Sequence, residues 1–558
     1  MSALPTERTP LVQDSSTTDD VTPAEEEKLH YNLAGLSRGS FWILCISVWM
    51  CAFLGAFDGT VVATLLGSIS SSFYATNLSS WLGTSYMLTV CCFTPIYGRL
   101  CNIIGRQTTM LIALTIFGVG NALCAVAPSM KFLIAARAFA GLGGGGLATT
   151  GSTIMSDLVP ITHRGIFQGY ANIMFGLGGA LGAPIGGFIN DYLGWRWAFL
   201  FQIPVFVFAF IMIYFKVRYT VAEKVGGPGD QTAWQALKRI DFAGSLLLAG
   251  WVGAGLIAVS LKTNSTAADA YSWSDPTIVG LFVASGVLFI VFLFVELRFA
   301  AEPVMPFELL HRPTPVAIAI NNFLISIAMY SVLYSVPLFL TAVRQMSSAN
   351  AGGHMMPSSL AGTIGSIGVG FMVRHTGRYY WLTIWTGAAA ILGTALMATW
   401  SVDTPDHMFW WNMTPFTFSM GAVTTLTVVA LIADVGREHV AVATSLSYVF
   451  RTTGQVLGVS LTGALTQAIL QKQLSERITG PGAEETIALI RESSDAIQNL
   501  PPAIKAAAIA SYDKAIHAVF VVCVVVCVLQ LLVVLGVKEV NMLPPPVSKP
   551  DDEAEETV

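Results

Sequence analysis

Charge is what this chain has little of. Only 11% of its 558 residues are Asp, Glu, Lys or Arg, against about a quarter in a soluble globular protein. Cysteine is missing from every long polar segment. All eight, Cys45, Cys51, Cys91, Cys92, Cys101, Cys124, Cys523 and Cys527, lie in or beside apolar runs, so no disulfide framework and no metal-ligand spacing is visible. Cys523 and Cys527 are one helical turn apart with no His or carboxylate beside them, and read as small core residues. The eight histidines are scattered over polar segments and the edges of apolar ones. No nucleophile–base set or metal-ligand set gathers, which argues against an enzyme. The run Gly141 to Gly146 lacks the Lys-Ser/Thr of a phosphate loop, and no cofactor is expected. No apolar core follows a basic start in the first 30 residues, so no cleavable signal is expected and the first apolar segment should insert and stay.

What remains is overwhelmingly apolar: 54% hydrophobic residues and a mean hydropathy of +0.65. Fourteen segments approach the roughly 20 apolar residues that a bilayer core requires. They fall near 41–63, 80–98, 108–127, 131–155, 167–189, 197–216, 243–261, 277–297, 315–341, 355–373, 380–400, 409–432, 441–470 and 516–537. Lipid permits only helices or closed barrels, so the expected fold is an all-α polytopic membrane protein with fourteen transmembrane helices. The polar segments 1–38 and 541–558 read as disordered tails. The lipid bilayer is the expected surroundings, no nucleic-acid partner is expected, and the chain is read as a monomer.

Charge placement predicts topology. With both termini cytoplasmic, the inner loops hold thirteen Lys and Arg residues, among them Arg99, Arg106, Arg164, Arg312, Arg378 and Arg437. The short outer loops hold four, Lys131, Arg196, Lys262 and Arg344. That bias favours N-in, C-in. The sequons at Asn77, Asn264 and Asn412 fall on the outer side; Asn77 and Asn264 are the glycosylation candidates, Asn412 lying too close to the membrane. The segment 471–515 reads as a long outer loop, with an interfacial helix near Ala503 to Ala510.

The chain also repeats itself. Gly98-x3-Asn102-x2-Gly105-Arg106 follows span 2, and Gly370-x3-Arg374-x2-Gly377-Arg378 follows span 10, at an offset of 272 residues. Gly178-x3-Gly182 with Gly187 in span 5 matches Gly454-x3-Gly458 with Gly463 in span 13, at an offset of 276. Two matches at nearly one offset predict duplicated six-helix units, 39–218 and 313–540, joined by a linker 219–312 that carries two extra spans. Parallel repeats around a mid-membrane cavity are an architecture of secondary transporters.

Buried polar residues give the site candidates. Asp58 is the only acid well inside the first six spans, and an intramembrane carboxylate is a functional candidate by default; a structural carboxylate locked to a neighbour is the alternative. Arg137, in Ala135-Ala136-Arg137-x4-Gly141, lies roughly 9 Å below the outer surface, and Asp58 roughly 8 Å below it, by helical rise. The shared depth predicts a pair. Arg451 lies about 15 Å into span 13, where it either faces a cavity or pairs with Asp434 or Glu438. Asp241 and Glu296 are expected to snorkel to the interface.

Four motifs resemble the major facilitator superfamily, over roughly residues 40 to 540, and its fourteen-span drug:proton antiporters in particular. They are Gly98 to Arg106, with Arg99, Asn102 and Gly105; Phe57-Asp58-Gly59-Thr60-Val61-Val62-Ala63; the Arg137 motif; and Gly178-Gly179-Ala180-Leu181-Gly182-Ala183-Pro184-Ile185-Gly186-Gly187, trailed by Trp195-Arg196-Trp197-Ala198-Phe199. The resemblance implies a proton-coupled antiporter working by alternating access on a small organic substrate and protons. It assigns Asp58 and Arg137 to proton coupling, Gly98 to Arg106 and Gly377-Arg378 to a cytoplasmic gate, and the span-5 glycines with Pro184 to the antiporter motif. Asn102 stands where the family usually has Asp, yet it can still cap a helix. The arginines also serve topology, and small residues serve ordinary membrane packing.

Asp58-Gly59-Thr60-Val61-Val62-Ala63-Thr64 and Trp81-Leu82-Gly83-Thr84-Ser85-Tyr86-Met87-Leu88 resemble a fungal branch with vacuolar basic amino-acid transporters and secondary-metabolite efflux pumps. Glu7-Arg8-Thr9-Pro10-Leu11-Val12 is similar to an acidic dileucine vacuolar sorting signal. Uptake of basic amino acids into the vacuole, efflux at the plasma membrane and a non-transporting nutrient sensor are the readings carried forward.

Overall fold

The computed structural model describes residues 37–159, 161–216, 242–264, 271–298, 312–435, 440–480, 482–492 and 494–537. Residues 1–36 and 541–558 of the two expected tails, the sorting signal, Asp241 and Glu438 lie outside them; Ser37 and Arg38, expected in the first tail, instead cap and open the first helix. The described residues contain helices and no strand. In chain order the α-helices are α1 Arg38–Ser72, α2 Ser80–Ile104, α3 Arg106–Ala125, α4 Met130–Leu158, α5 Ile161–Leu193, α6 Trp195–Leu200, α7 Ile203–Lys216, α8 Phe242–Asn264 and α9 Pro276–Arg298. There follow α10 Pro313–Leu338, α11 Ser348–His354, α12 Met356–Thr376, α13 Tyr380–Ala398, α14 Asp406–Trp411, α15 Thr414–Val435, α16 Val440–Arg477, α17 Ala483–Glu492 and α18 Pro502–Val534.

Eleven of the described helical segments are long and apolar enough to cross a membrane, which makes this a multi-pass membrane protein. Helices α2, α8 and α16 pack among them. Polar side chains of α2 and α16 meet where the two helices pack on each other. Thr84 and Ser460 hydroxyls lie 2.9 Å apart, and the Thr452 hydroxyl donates to Cys91 Sγ at 3.1 Å.

Helix α1 packs on α5, α2 on α4, and α3 on α4; in the later chain α10 packs on α16 and α12 on α15. The two groups meet along α5 with α11 and α12, α2 with α16, and α1 with α10, while α8 and α9 pair with each other and α8 lies on α2 and α16. Each group has its own apolar core, one around Phe117, Leu44 and Leu54, the other around Phe339, Phe416 and Phe520.

Several helices outrun their apolar windows. Helix α1 continues to Ser72 because Ser70 and Ser72 hydroxyls donate back to the carbonyls of Gly67 and Ile69 at 3.1 and 2.8 Å. Helix α16 continues to Arg477. The Ala-rich stretch near 503–510 is therefore no separate interfacial helix: it opens α18. The expected loop 471–515 shrinks to 478–501 and folds as a cap, made of α17 and the 3₁₀ turn Asp495–Asn499. Ile490 and Ile497 are fully buried there, and Tyr512 donates its hydroxyl to the Ile490 carbonyl at 3.2 Å. Below, the cap end is the end of the bundle carrying this segment, and the arginine end is the one carrying Arg106.

Candidate functional site

The centre of the first group is an ion pair. Asp58 of α1 and Arg137 of α4 are 0% and 1% exposed, and Arg137 Nη1 donates to Asp58 Oδ2 at 2.8 Å. The depth match read from helical rise thus brings the two together. Arg137 is held from three sides: its Nε reaches the Leu82 carbonyl at 3.5 Å, its guanidinium lies 4.3 Å from the centre of the Tyr86 ring, and Cys124 of α3 is alongside. Asp58 Oδ1 has no hydrogen-bond partner among the described residues. Each ion is tolerable in a low-dielectric interior only because the other is there, and such pairs are weak sources of stability and good switches.

Tyr334 of α10 completes the site from the second group. It is buried, and its hydroxyl rests so close on Gly83 that any Cβ there would overlap it. Gly83 follows Leu82, whose carbonyl receives Arg137. Tyr86 lies in a segment the sequence singled out; Tyr334 carried no signal, because it comes to the site through tertiary packing alone.

The span-5 glycines are packing devices with a direction. A Cβ on Gly178 would run into the Phe53 carbonyl, on Gly182 into Phe57 and Thr60, and on Gly186 to 3.0 Å from Val61, all on α1. Gly187 instead meets Ser348 at the start of α11, across the seam between the groups. Gly179 has nothing nearer than 3.9 Å, and Pro184 lies inside α5. The second copy repeats this plan: Gly454 and Gly458 abut the Phe323 and Ile327 carbonyls of α10, and Gly463 abuts Ser80 at the start of α2, again across the seam. At the cap end the seam is closed further. Ser68 and Ser348 hydroxyls lie 3.4 Å apart, Asn190 donates to both, and Asp191 Oδ2 accepts from the Ala349 backbone at 3.0 Å. Trp195 Nε1 donates to Ser72 at 3.1 Å and Arg196 to the Ala127 carbonyl at 3.1 Å, pinning the same end.

At the arginine end the expected loop is mostly helix. Gly98 to Ile104 are the last turns of α2, and Gly105, at φ +89°, makes the whole turn into α3, a backbone state that favours glycine. Gly377, at φ +66°, ends α12 in the same way. Asn102 lies inside α2, and the residue at the N-cap of α3 is Gly105; the side chains of Arg99 and Asn102 lie outside what the structure describes. Arg106 pairs with Asp157 at 2.8 Å and donates to the Cys101 carbonyl at 3.2 Å. Gln107 donates to the Tyr214 carbonyl at 2.7 Å near the end of α7. Asp157 was not singled out from sequence. Arg378 is exposed and forms no ion pair among the described residues, so the two arginines are not equivalent.

Arg451 of α16 is half-buried, its guanidinium 5.8 Å from the Tyr448 ring centre. It forms no ion pair with Asp434, and Glu438 lies outside the described residues. Glu296, expected to snorkel, is instead 4% exposed. All eight cysteines are buried and free. Asn77, Asn264 and Asn412 lie at the cap end, in the turn after α1, at the end of α8 and just after α14.

Residues 48–459 match the family model of the Major Facilitator Superfamily. The chain is 36% identical over 478 residues to "Multidrug resistance protein fnx1" of Schizosaccharomyces pombe, covering 85% of this chain and 88% of that protein. It is 32% identical to "Vacuolar membrane amino acid uptake transporter fnx2" of the same yeast, over 83% and 78% of the two chains. The fold is similar to that of a bacterial homologue of the human lysosomal transporter Spinster in an inward-facing, unoccupied conformation, at TM-score 0.61 and 15% identity, covering 90% of this chain and 98% of that one.

Proposed function

As the chain belongs to the Major Facilitator Superfamily, we propose that it is a fourteen-span, proton-coupled antiporter that moves a small organic molecule by alternating access. The observation that carries this reading is the fully buried Asp58–Arg137 pair. Protonation of Asp58 removes one charge and leaves Arg137 without its counter-ion, so the packing around α1 and α4 has different optima with and without the proton. A substrate that favours one packing and a proton that favours the other are then exchanged, since each can shift the equilibrium only by its differential affinity.

The helices number fourteen when α2, α8 and α16 are counted as spans, each of α6 with α7, α11 with α12 and α14 with α15 making one. Helices α1–α7 and α10–α18 form the two six-span units, with α8 and α9 inserted between them. The repeated glycine contacts on α1 and α10 support that division. The thirteen-to-four charge bias supports a cytosolic arginine end with both termini in the cytosol. Gly98 to Arg106 and Gly377-Arg378 form the cytoplasmic gate, and the cap faces the other compartment.

The substrates we favour are basic amino acids moved into the vacuole in exchange for lumenal protons. The resemblance to vacuolar basic amino-acid transporters and the relative named for vacuolar amino-acid uptake support this. Efflux of a toxic or secondary metabolite is the second reading, favoured by the relative named for multidrug resistance. Purified protein in acid-loaded liposomes, offered amino acids and hydrophobic amines in parallel, separates them. Accumulation of Lys, Arg or His driven by the acid interior is expected. Accumulation of hydrophobic amines alone supports efflux, and no flux of any compound supports a sensor.

A further inference from the structure

A small, partly open cavity of about 30 Å³ lies between the ion pair and the cap, lined in part by Ser80, Tyr334, Ser335, Thr462, Thr466 and Gln467. A water needs roughly 10–15 Å³ of such space and two to four polar partners, so the cavity has room and polarity for about two. Ser335 is 2% exposed and its hydroxyl has no hydrogen-bond partner among the described residues. A buried hydroxyl in that state is normally satisfied by an ordered water.

The cavity's two ends meet different parts of the molecule. At its inner end is Tyr334, whose hydroxyl rests on Gly83, one residue from the Leu82 carbonyl that receives Arg137. At its outer end Gln467 donates to the Thr76 carbonyl and accepts from Arg491 of the cap, both at 3.5 Å. The wall between is shared by the two groups of helices, so any rocking of one on the other reshapes it. Leu66, Leu338 and Val459 also line it and leave the hydroxyls as its polar route.

We propose that this cavity is a hydration site that carries protons between the cap-side compartment and the Asp58–Arg137 pair, separate from the route taken by the substrate. A proton passes from a cavity water along the hydroxyls and waters to an Asp58 carboxylate oxygen. An O–H bond forms there, each water or hydroxyl that gives up a proton regains one from the neighbour on its cap side, the last being a hydronium from the cap-side compartment that is left as water, and Arg137 keeps its charge. The groups facing the pair are Tyr86 from α2, Cys124 from α3 and Tyr334 from α10. Tyr334, alone among them, also borders the cavity, which makes it the connecting residue. The inference rests on the proton-coupled reading above.

Hydroxyl-radical footprinting of the full chain in lipid nanodiscs reads the water directly. Tyr334 and Tyr512, which line the cavity, should be oxidised well above fully buried Tyr379, and Thr462→Leu, which fills the space, should protect Tyr334. In liposomes, uptake driven by a pH gradient should fall at least about tenfold in Thr462→Leu, a part of the roughly 10²–10⁴-fold that positioned proton transfer supplies, and less in the smaller changes Thr462→Val and Ser335→Ala. Substrate exchange without a gradient should change far less than the driven uptake. Labelling of Tyr334 no faster than Tyr379, or undiminished driven uptake in Thr462→Leu, overturns the inference. If Thr462→Leu does not fold, wild-type driven uptake in both Thr462→Val and Ser335→Ala overturns it. Should the unaltered protein itself show no response to the gradient, proton coupling fails and the inference falls with it, so the two failures are told apart.

Discussion

At the scale of single residues the pair makes the sharpest claim. Arg137→Ala strands Asp58 in an apolar interior, which costs about 3–5 kcal/mol for a broken buried pair. The double change Asp58→Asn/Arg137→Gln leaves no uncompensated charge and should melt above Arg137→Ala. Strictly additive melting shifts across the cycle would show that the residues do not interact. The glycines give a second test. Gly182→Ala forces a Cβ into Phe57 and Thr60 and should cost about 1–3 kcal/mol, the usual penalty of overpacking, whereas Gly179→Ala enters open space and should melt with the unaltered protein. Equal melting of the two variants would mean that α1 and α5 do not approach as described. Asp58 and Arg137 were legible in the sequence because a charge in an apolar helix is rare and helical rise converts residue number into depth. Tyr334 and Asp157 were not: a tyrosine and a helix-end acid are ordinary residues until the fold sets them beside Gly83 and Arg106.

Helices behave less evenly than their hydropathy. The apolar windows found the helices but not their ends: the first window closes near residue 63, while the helix runs on to Ser72, its last serine hydroxyls bonded back to backbone carbonyls. Likewise the polar stretch after residue 470 read as loop, although Gln473 and its neighbours continue α16. The arginine end shows a further asymmetry. The repeat makes Arg106 and Arg378 counterparts, but among the described residues only Arg106 is tied by an ion pair to a neighbouring helix end, through Asp157. Arg106→Ala and Asp157→Asn should therefore slow turnover to a similar degree, and Arg378→Ala should slow it less. None of the three should reorder substrate preference, since this end lies about half a bilayer from the mid-membrane cavity expected of the architecture. A competition panel on each variant checks this; a reordered preference would place the substrate beside that turn.

For the whole molecule, the repeated glycine spacing of the sequence has its counterpart in repeated glycine contacts in the structure. Glycines 276 residues apart make equivalent contacts, on α1 and on α10, and their outermost members, Gly187 and Gly463, both touch the opposite group. That is the arrangement a rocking transporter needs: rigid contact within each unit and a close, small-residue seam between them. The proposed orientation predicts that single cysteines placed at residues 20 and 555 react with impermeant thiol reagents only from the cytosolic side; reaction from the other side would reverse the assignment of the cap. The central claim is that the buried pair couples protons to transport. The most direct test is Asp58→Asn, reconstituted beside the unaltered protein and assayed for uptake with and without an acid interior. The account predicts that the variant folds and inserts but has lost all dependence on the gradient, while full proton-driven uptake by Asp58→Asn would contradict it.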